Sequence, residues 1–487
     1  MFFNSIDFAI FLPVVFVLYW YVTAKNLQLQ NLLIVVASYV FYGWWDWRFL
    51  TLIFFSTIVD FLVGKGLQKQ TKVSKRKLLL WTSIAVNLGL LGFFKYYNFF
   101  LDNFVTAFSF FGKEIQGDSL DIILPVGISF YTFQTLSYSI DVYKRKLQPS
   151  NNFISFAAFV CFFPQLVAGP IERASNLLPQ FSVKRNFIYS KAVDGLRQIL
   201  WGLFKKVVIA DNCAEYANTI FDNYADYPGS SLALGAVFFA LQIYGDFSGY
   251  SDIAIGTSRL FGFDLKQNFA FPYFSRDIAE FWRRWHISLS SWFRDYVYIP
   301  LGGSIGSSWK KIRNVFIIFL LSGFWHGANW TFIVWGGLNA LYFLPLILTN
   351  NNRNNISIVA EGRLMPSLVD TGKILLTFTL STFAWIFFRA ESMEQAISYI
   401  DRMFSSSIIS TPYILETSSG LPIFPKVLIL LIAIFLIIEW LGREGQYAIE
   451  RLTLSWKRPF RYLFYYFIIL SLFLFCGKEQ GFIYFQF

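Results

Sequence analysis

Two histidines, His286 and His326, are the side chains of this sequence best suited to move a proton near neutral pH. His326 sits in SGFWHGANWTF, inside a stretch from Asn314 to Asn352 that contains no Lys, Arg, Asp or Glu. Counted as helix from Arg313, it lies ~20 Å along the axis, within a hydrocarbon layer about 30 Å thick. Ionisable groups at that depth are costly and point to function. A neutral imidazole there could take the proton of a hydroxyl and ready its oxygen for attack on an acyl carbon. A core histidine bonded to a neighbouring carbonyl or hydroxyl is the other reading, and position alone leaves both open. Trp325 and Asn329 are near neighbours. Gly323 and Gly327 form a small-xxx-small pair that lets another helix come close.

His286 lies in SRDIAEFWRRWHISLSSWFRDYVYIPLGG. Read as one helix, this segment puts Ile278, Phe281, Trp282, Trp285, Leu289 and Trp292 on one broad face, with Arg283, Arg284 and Arg294 reaching toward water. Such a helix lies at a membrane interface. Alternatively, His286 and Arg283 or Arg284 line the mouth of a cavity. The three cysteines, Cys161, Cys213 and Cys476, have neither metal-ligand spacing nor a paired framework. They read as packing residues, and no metal is expected.

The elements that must hold these residues are membrane helices. Hydrophobic residues make up 55% of the 487, aromatic residues 21% and charged residues 15%. A soluble domain carries about 25% charged residues, so a soluble enzyme, a disordered chain and a coiled coil are excluded. Apolar runs too long for barrel strands predict spans near 8–24, 31–45, 49–64, 78–94, 122–142, 203–221, 231–250, 314–329, 331–349, 371–388, 425–441 and 462–476. Segment 8–24 has no basic flank or cleavage site and reads as a retained helix. Segments 147–202 and 246–313 mix Pro, polar and aromatic residues and read as re-entrant or interfacial. Basic clusters at 65–77, 144–146, 310–313 and 442–461 fall on one side of the membrane. The positive-inside bias makes that side cytoplasmic and places both termini outside. The net charge of +11 is explained this way, and nucleic acid is not an expected partner.

Four segments are similar to the membrane-bound O-acyltransferase family: FPQLVAGPIERASNLLPQF at 163–181, QIYGDFSGYSDIAIGTSRLFGF at 242–263, PYFSRDIAEFWRRWHISLSSWFRDYVYIPLGG at 272–303 and LSGFWHGANWTFIVWGGLNALYF at 321–343. They most resemble its bacterial polysaccharide branch, the membrane subunits of alginate O-acetylation. The subunits of peptidoglycan O-acetylation and teichoic-acid D-alanylation are relatives. The resemblance implies a single all-α polytopic domain over 1–487: N-terminal helices 1–146, a catalytic core 147–349, C-terminal helices 350–476 and an aromatic tail 477–487. It also implies a ring of about 11–12 transmembrane helices, with re-entrant and interfacial helices, around a central tunnel.

By the same resemblance, His326 matches the family's histidine in its WHG context and His286 the second histidine, so both would be catalytic. Asp252, Trp282, Arg283, Trp285, Trp325 and Asn329 are tunnel-lining candidates; a capping or packing role is the plainer account of Asp252. The last residues, FIYFQF, resemble the aromatic C-terminal tail of these O-acylation systems, which would make Tyr484 an acyl acceptor in transit. As physics alone they are an interfacial aromatic anchor.

The implied function is an acetyltransferase with no bound cofactor. It would take acetyl from cytoplasmic acetyl-CoA and pass it across a bacterial inner membrane for O-acetylation of an extracytoplasmic polysaccharide such as alginate. A periplasmic SGNH-type partner would complete the transfer. Alternatives are a D-alanyl or other acyltransferase of the same family, or a transporter of a saccharide or acyl carrier. A transporter would carry repeats and several intramembrane charges, and the sequence is read as having neither.

Overall fold

The computed structural model describes residues 1–112, 115, 117–167, 169–415, 422–476 and 480–483. The described chain is helical, apart from one two-residue antiparallel pairing of Ile414–Leu415 with Pro422–Ile423. It divides into two compact units, residues 1–195 with 257–266, and residues 196–256 with 267–487.

The first unit holds helices Ile6–Val17, Leu27–Asp46, Leu50–Lys69, Val73–Leu91, Tyr97–Phe110, Ile128–Tyr143 and Phe153–Cys161. Their starts follow the local sequence: Ser5, Asn26 and Asn152 accept hydrogen bonds from the first free amides of the helices they precede. Inside the unit, fully buried Asp60 accepts from Asn87 Nδ2 at 2.8 Å and Ser139 Oγ at 2.8 Å. Asn87 Oδ1 in turn accepts from Ser56 at 2.9 Å and Thr135 at 3.0 Å. These bonds tie three helices together where no water can satisfy their polar groups.

The second unit contains the long helix Gly229–Leu260, which runs on past the unit boundary. It also contains Ser308–His326, Trp330–Leu348, Leu368–Arg389, Lys426–Leu441 and Arg458–Leu474. Among the described residues, five apolar segments are long enough to cross a membrane, including Gly229–Leu260, Trp330–Leu348 and Leu368–Arg389. Leu375, Leu376, Leu463, Tyr466, Leu470 and Phe473 are exposed, which suits a lipid-facing surface. The architecture is all-α and polytopic.

Several expectations need correction. Residues 246–260 form the end of one continuous helix and are not re-entrant. The segment around His286 is two short helices, Ile278–Arg284 and Ile287–Phe293. His286 breaks them apart because its backbone is left-handed, φ 43°. The break is held by Ala270 N–H donating to the Arg284 carbonyl and Ile287 N–H to the Asn268 carbonyl. The segment's apolar face packs inside the protein: Ile278, Phe281, Trp285, Leu289 and Trp292 are buried. Arg284 does not reach for water; its Nη2 meets Glu280 Oε1 at 2.9 Å. Cys161 and Cys213 are buried, but Cys476 is exposed and is no packing residue. The expected scarcity of buried charge also fails, since Lys205, Lys206, Asp211, Asp246, Asp252 and Glu439 are all buried in the second unit.

Helices Ser308–His326 and Trp330–Leu348 touch backbone to backbone. A Cβ at Gly323 would stand 2.2 Å from the Phe332 carbonyl oxygen, and one at Gly336 2.3 Å from that of Phe319. Gly327 meets the Phe332 ring in the same way. Gly323→Ala is therefore expected to cost about 1–3 kcal/mol through forced separation, read as a fall in the thermal midpoint in detergent. Gly337→Ala, whose Cβ would meet nothing nearer than 3.9 Å, should leave the midpoint unchanged.

Candidate active site

His326 is the last residue of its helix and is buried. Three rings enclose its imidazole: Trp325 at 4.8 Å between centroids, Trp335 at 5.2 Å and Phe388 at 5.1 Å. Trp385 stacks on Trp335 at 5.5 Å and completes the aromatic wall. Asn339 fixes the far side by accepting from Trp282 Nε1 at 3.2 Å.

His286 also packs against Trp325, with ring centroids 6.1 Å apart. One indole thus touches both imidazoles. The local chemistry decides the proton position on His286. Asn268 Oδ1 accepts the Ser288 backbone N–H at 3.2 Å and its hydroxyl at 2.8 Å, while Nδ2 donates to Ser251 Oγ at 3.0 Å. A backbone N–H can only donate, so the amide oxygen faces His286. Nδ1 of His286, 3.0 Å from that oxygen, must then carry the proton, and Nε2 is the basic nitrogen.

A cavity of about 630 Å³ lies in the same unit. Its polar lining includes Arg283, Arg294, Lys311 and Arg353, and its apolar wall includes Trp282, Phe293, Val315 and Phe319. Ser322 also lines it, one helical turn before His326. Arg283 is positioned by donating to the carbonyls of Asn352 at 2.9 Å and Asn355 at 2.8 Å. The first unit has a smaller cavity, about 420 Å³. Two cations of its lining are engaged by carboxylates, Lys191 by Asp264 at 2.9 Å and Arg259 by Asp194, as Arg294 of the large cavity is by Asp295 at 2.8 Å; it is the weaker candidate because no residue of helix Ser308–His326 lines it.

The remaining expected residues stand as follows. Trp282 and Arg283 line the large cavity. Trp285 is buried behind it against Phe269, Phe281 and Trp385. Trp325 packs against both histidines. Asn329 caps helix Trp330–Leu348 and donates to the Glu391 carbonyl at 2.7 Å. Asp252 pairs with Lys205 at 2.6 Å and accepts from Gln198 at 2.7 Å. Tyr484 lies outside the described residues, yet the segment just before it reaches the site. Phe482 is fully buried and packs 6.0 Å from Phe247, whose edge meets His286 at 4.6 Å. Sequence reasoning missed Asn268, Trp335, Trp385 and Phe388. Only Asn268 carried a signal, as a polar residue in the apolar stretch NFAF.

Burial pushes the His286 imidazole down to about 3, against an ordinary ~6.5. Below pH ~6.5 the unfolded chain takes a proton that the folded protein refuses, so stability from this group is lost as pH falls from there toward 3. The stability advantage of wild type over His286→Gln, taken from thermal midpoints in detergent, should therefore shrink across that interval. A difference that does not change with pH would contradict a neutral His286.

Residues 146–369 match the model of the membrane-bound O-acyltransferase family, MBOAT. That span contains both histidines, Asn268 and Asp252. A probable alginate O-acetylase of Pseudomonas aeruginosa is 40% identical over 408 residues, covering 83% of this chain and 75% of the relative. A peptidoglycan O-acetyltransferase of Helicobacter pylori is 36% identical over 437 residues, 84% of this chain and 80% of its own length. A teichoic acid D-alanyltransferase of Bacillus subtilis is 29% identical over 235 residues, 45% and 58% respectively.

Proposed function

The chain belongs to the membrane-bound O-acyltransferase family, and from that premise we propose that it passes acetyl from acetyl-CoA through the membrane to O-acetylate an extracytoplasmic polysaccharide such as alginate. The observation that carries the choice of donor is the cavity with Arg283, Arg294, Lys311 and Arg353 in its lining and Ser322 one turn from His326. Cations suit the phosphates of a coenzyme A thioester. The apolar wall suits its long pantetheine arm. Lys311 belongs to the basic cluster that the positive-inside bias assigns to the cytoplasm, so the donor enters from that side. Both termini then lie outside, in the inner membrane of a bacterium.

His326 acts as general base. Its neutral imidazole takes the acceptor's hydroxyl proton as the oxygen attacks the thioester carbonyl. The tetrahedral intermediate collapses, the C–S bond breaks, and the imidazolium returns the proton to the departing thiolate. His286, held as its neutral Nδ1–H tautomer, contributes a hydrogen-bond acceptor through Nε2. The acceptor is the Tyr484 hydroxyl, which follows a segment that packs beside Phe247 and His286. A phenol titrates near ~10 and needs a base to react at neutral pH. The resulting aryl ester is activated for onward transfer. A periplasmic SGNH-type partner then moves the acetyl to a polysaccharide hydroxyl.

Purified protein is incubated with radiolabelled acetyl-CoA and the C-terminal peptide is examined by mass spectrometry. His326→Ala should lower acetyl transfer by at least ~100-fold, the usual weight of a general base, while the protein still inserts. Wild-type transfer in that variant would end the proposal. Tyr484→Phe removes only the hydroxyl and should abolish label on the peptide; transfer to the partner at the wild-type rate in this variant would eliminate the relay and retain the acyltransferase.

A further inference from the structure

Lys206 is the most enclosed cation of the second unit that the site chemistry does not use. Its side chain is 1% exposed, and its Nζ lies 2.8 Å from Asp211 Oδ1 and 2.8 Å from Asp246 Oδ1. Burying such ions costs several kcal/mol each, and a well-packed apolar replacement is often no less stable. The cluster therefore calls for a role beyond cohesion.

Its remaining hydrogen-bonding capacity goes to the C-terminal segment. Lys206 Nζ donates to the Gln480 carbonyl at 3.1 Å. Asp246 Oδ2 accepts the Ile483 backbone N–H at 2.7 Å. These are the carbonyl of residue i and the amide of residue i+3, the two groups that a turn would pair with each other. Here one ion pair supplies the complementary donor and acceptor. Phe482, between them, is fully buried, 4.3 Å from the ring of Tyr250 and 6.0 Å from that of Phe247. Ile483 is 1% exposed.

The receptor is built from local geometry. Asp246, Phe247 and Tyr250 are on helix Gly229–Leu260. Lys206 is in a π-helical stretch, Phe204–Ala210. Adding a residue to the turn shifts the helical register, and such bulges recur at functional sites. Here Lys205 and Lys206 are both buried, the first on Asp252 and the second on Asp246. The two backbones come together at glycines: a Cβ at Gly202 would be 2.6 Å from the Gly249 carbonyl oxygen, and one at Gly249 2.7 Å from that of Gly202.

We propose that the buried Lys206–Asp246 pair is a receptor for the chain's own C-terminal segment, and that these two are positioning residues which seat Gln480–Ile483 beside Phe247 and His286. The main-chain bonds set how far the segment enters, and Phe482 sets its rotation. This deepens the acyl relay, since the next residue is Tyr484, but the seating itself stands on residues 480–483. The pair recognises backbone groups and one aromatic ring, so the receptor requires an aromatic residue at 482 and tolerates change at Gln480.

The test is hydrogen–deuterium exchange on the full-length protein in detergent, followed through the C-terminal peptide. Wild type should protect the Ile483 amide. Asp246→Ala removes a charged acceptor and should speed exchange at that amide by at least ~10-fold, with peptides from the rest of the chain unchanged. Asp246→Asn keeps an acceptor oxygen and should restore most of the protection. Phe482→Ala, a change in the tail itself that leaves the receptor intact, should also speed exchange and serves if Asp246→Ala unfolds. Free exchange of the peptide in wild type, or full protection in both Asp246→Ala and Phe482→Ala, overturns the proposal. The same peptide reports acetylation by mass. Protection without acetyl on Tyr484 retains the receptor and removes the relay. Acetylation without protection retains the relay and removes the receptor.

Discussion

A charge buried in a membrane-spanning helical protein has no water to turn to, and every such charge must be answered from within the chain. That constraint organises the second unit. Lys205 is answered by Asp252, and Lys206 by Asp211 and Asp246. Glu439 takes hydrogen bonds from Trp201 at 3.0 Å and Tyr244 at 2.5 Å. The pairs Lys205–Asp252 and Lys206–Asp246 and the bonds of Glu439 to Trp201 and Tyr244 tie one helix to another, so charges that would forbid burial singly become cross-links of the interior. The same rule governs the first unit, where Asp60 is met by hydroxyls and an amide.

A second constraint is steric. Helices Ser308–His326 and Trp330–Leu348 run backbone against backbone because Gly323 and Gly336 occupy the contact. That closeness brings Trp335 to the imidazole at the end of the first helix. Trp325, Trp335 and Phe388 pack edge-on around that imidazole and fix its position. His286 is handled differently: a left-handed backbone, one asparagine and one serine select its tautomer.

Two features of the second unit come close to the histidines. The large cavity comes up to Ser322, a turn from His326. The C-terminal segment comes up to Phe247, in contact with His286. Trp325 packs against both imidazoles.

Much of this was legible in the sequence. The helical, polytopic architecture follows from apolar runs that leave no other way to satisfy the backbone in lipid. His326 stood out because it is the one histidine in a long run free of Lys, Arg, Asp and Glu, and the motifs around both histidines carried the family resemblance. Glycines at 323 and 327 announced a close helix contact. What the sequence could not decide was partnership. Lys206 and Asp246 are forty residues apart, and nothing in their spacing tells a buried pair from two loop charges. The helix around His286 looked continuous because an apolar period cannot register a single left-handed residue held by Asn268. Trp385 and Phe388 read as ordinary spanning residues until folding set them against Trp335 and His326. Periodicity and charge depth are properties of a segment and survive in one dimension. The tautomer, the ion pairs and the seat of the tail depend on contacts between distant segments, and only the tertiary structure decides them.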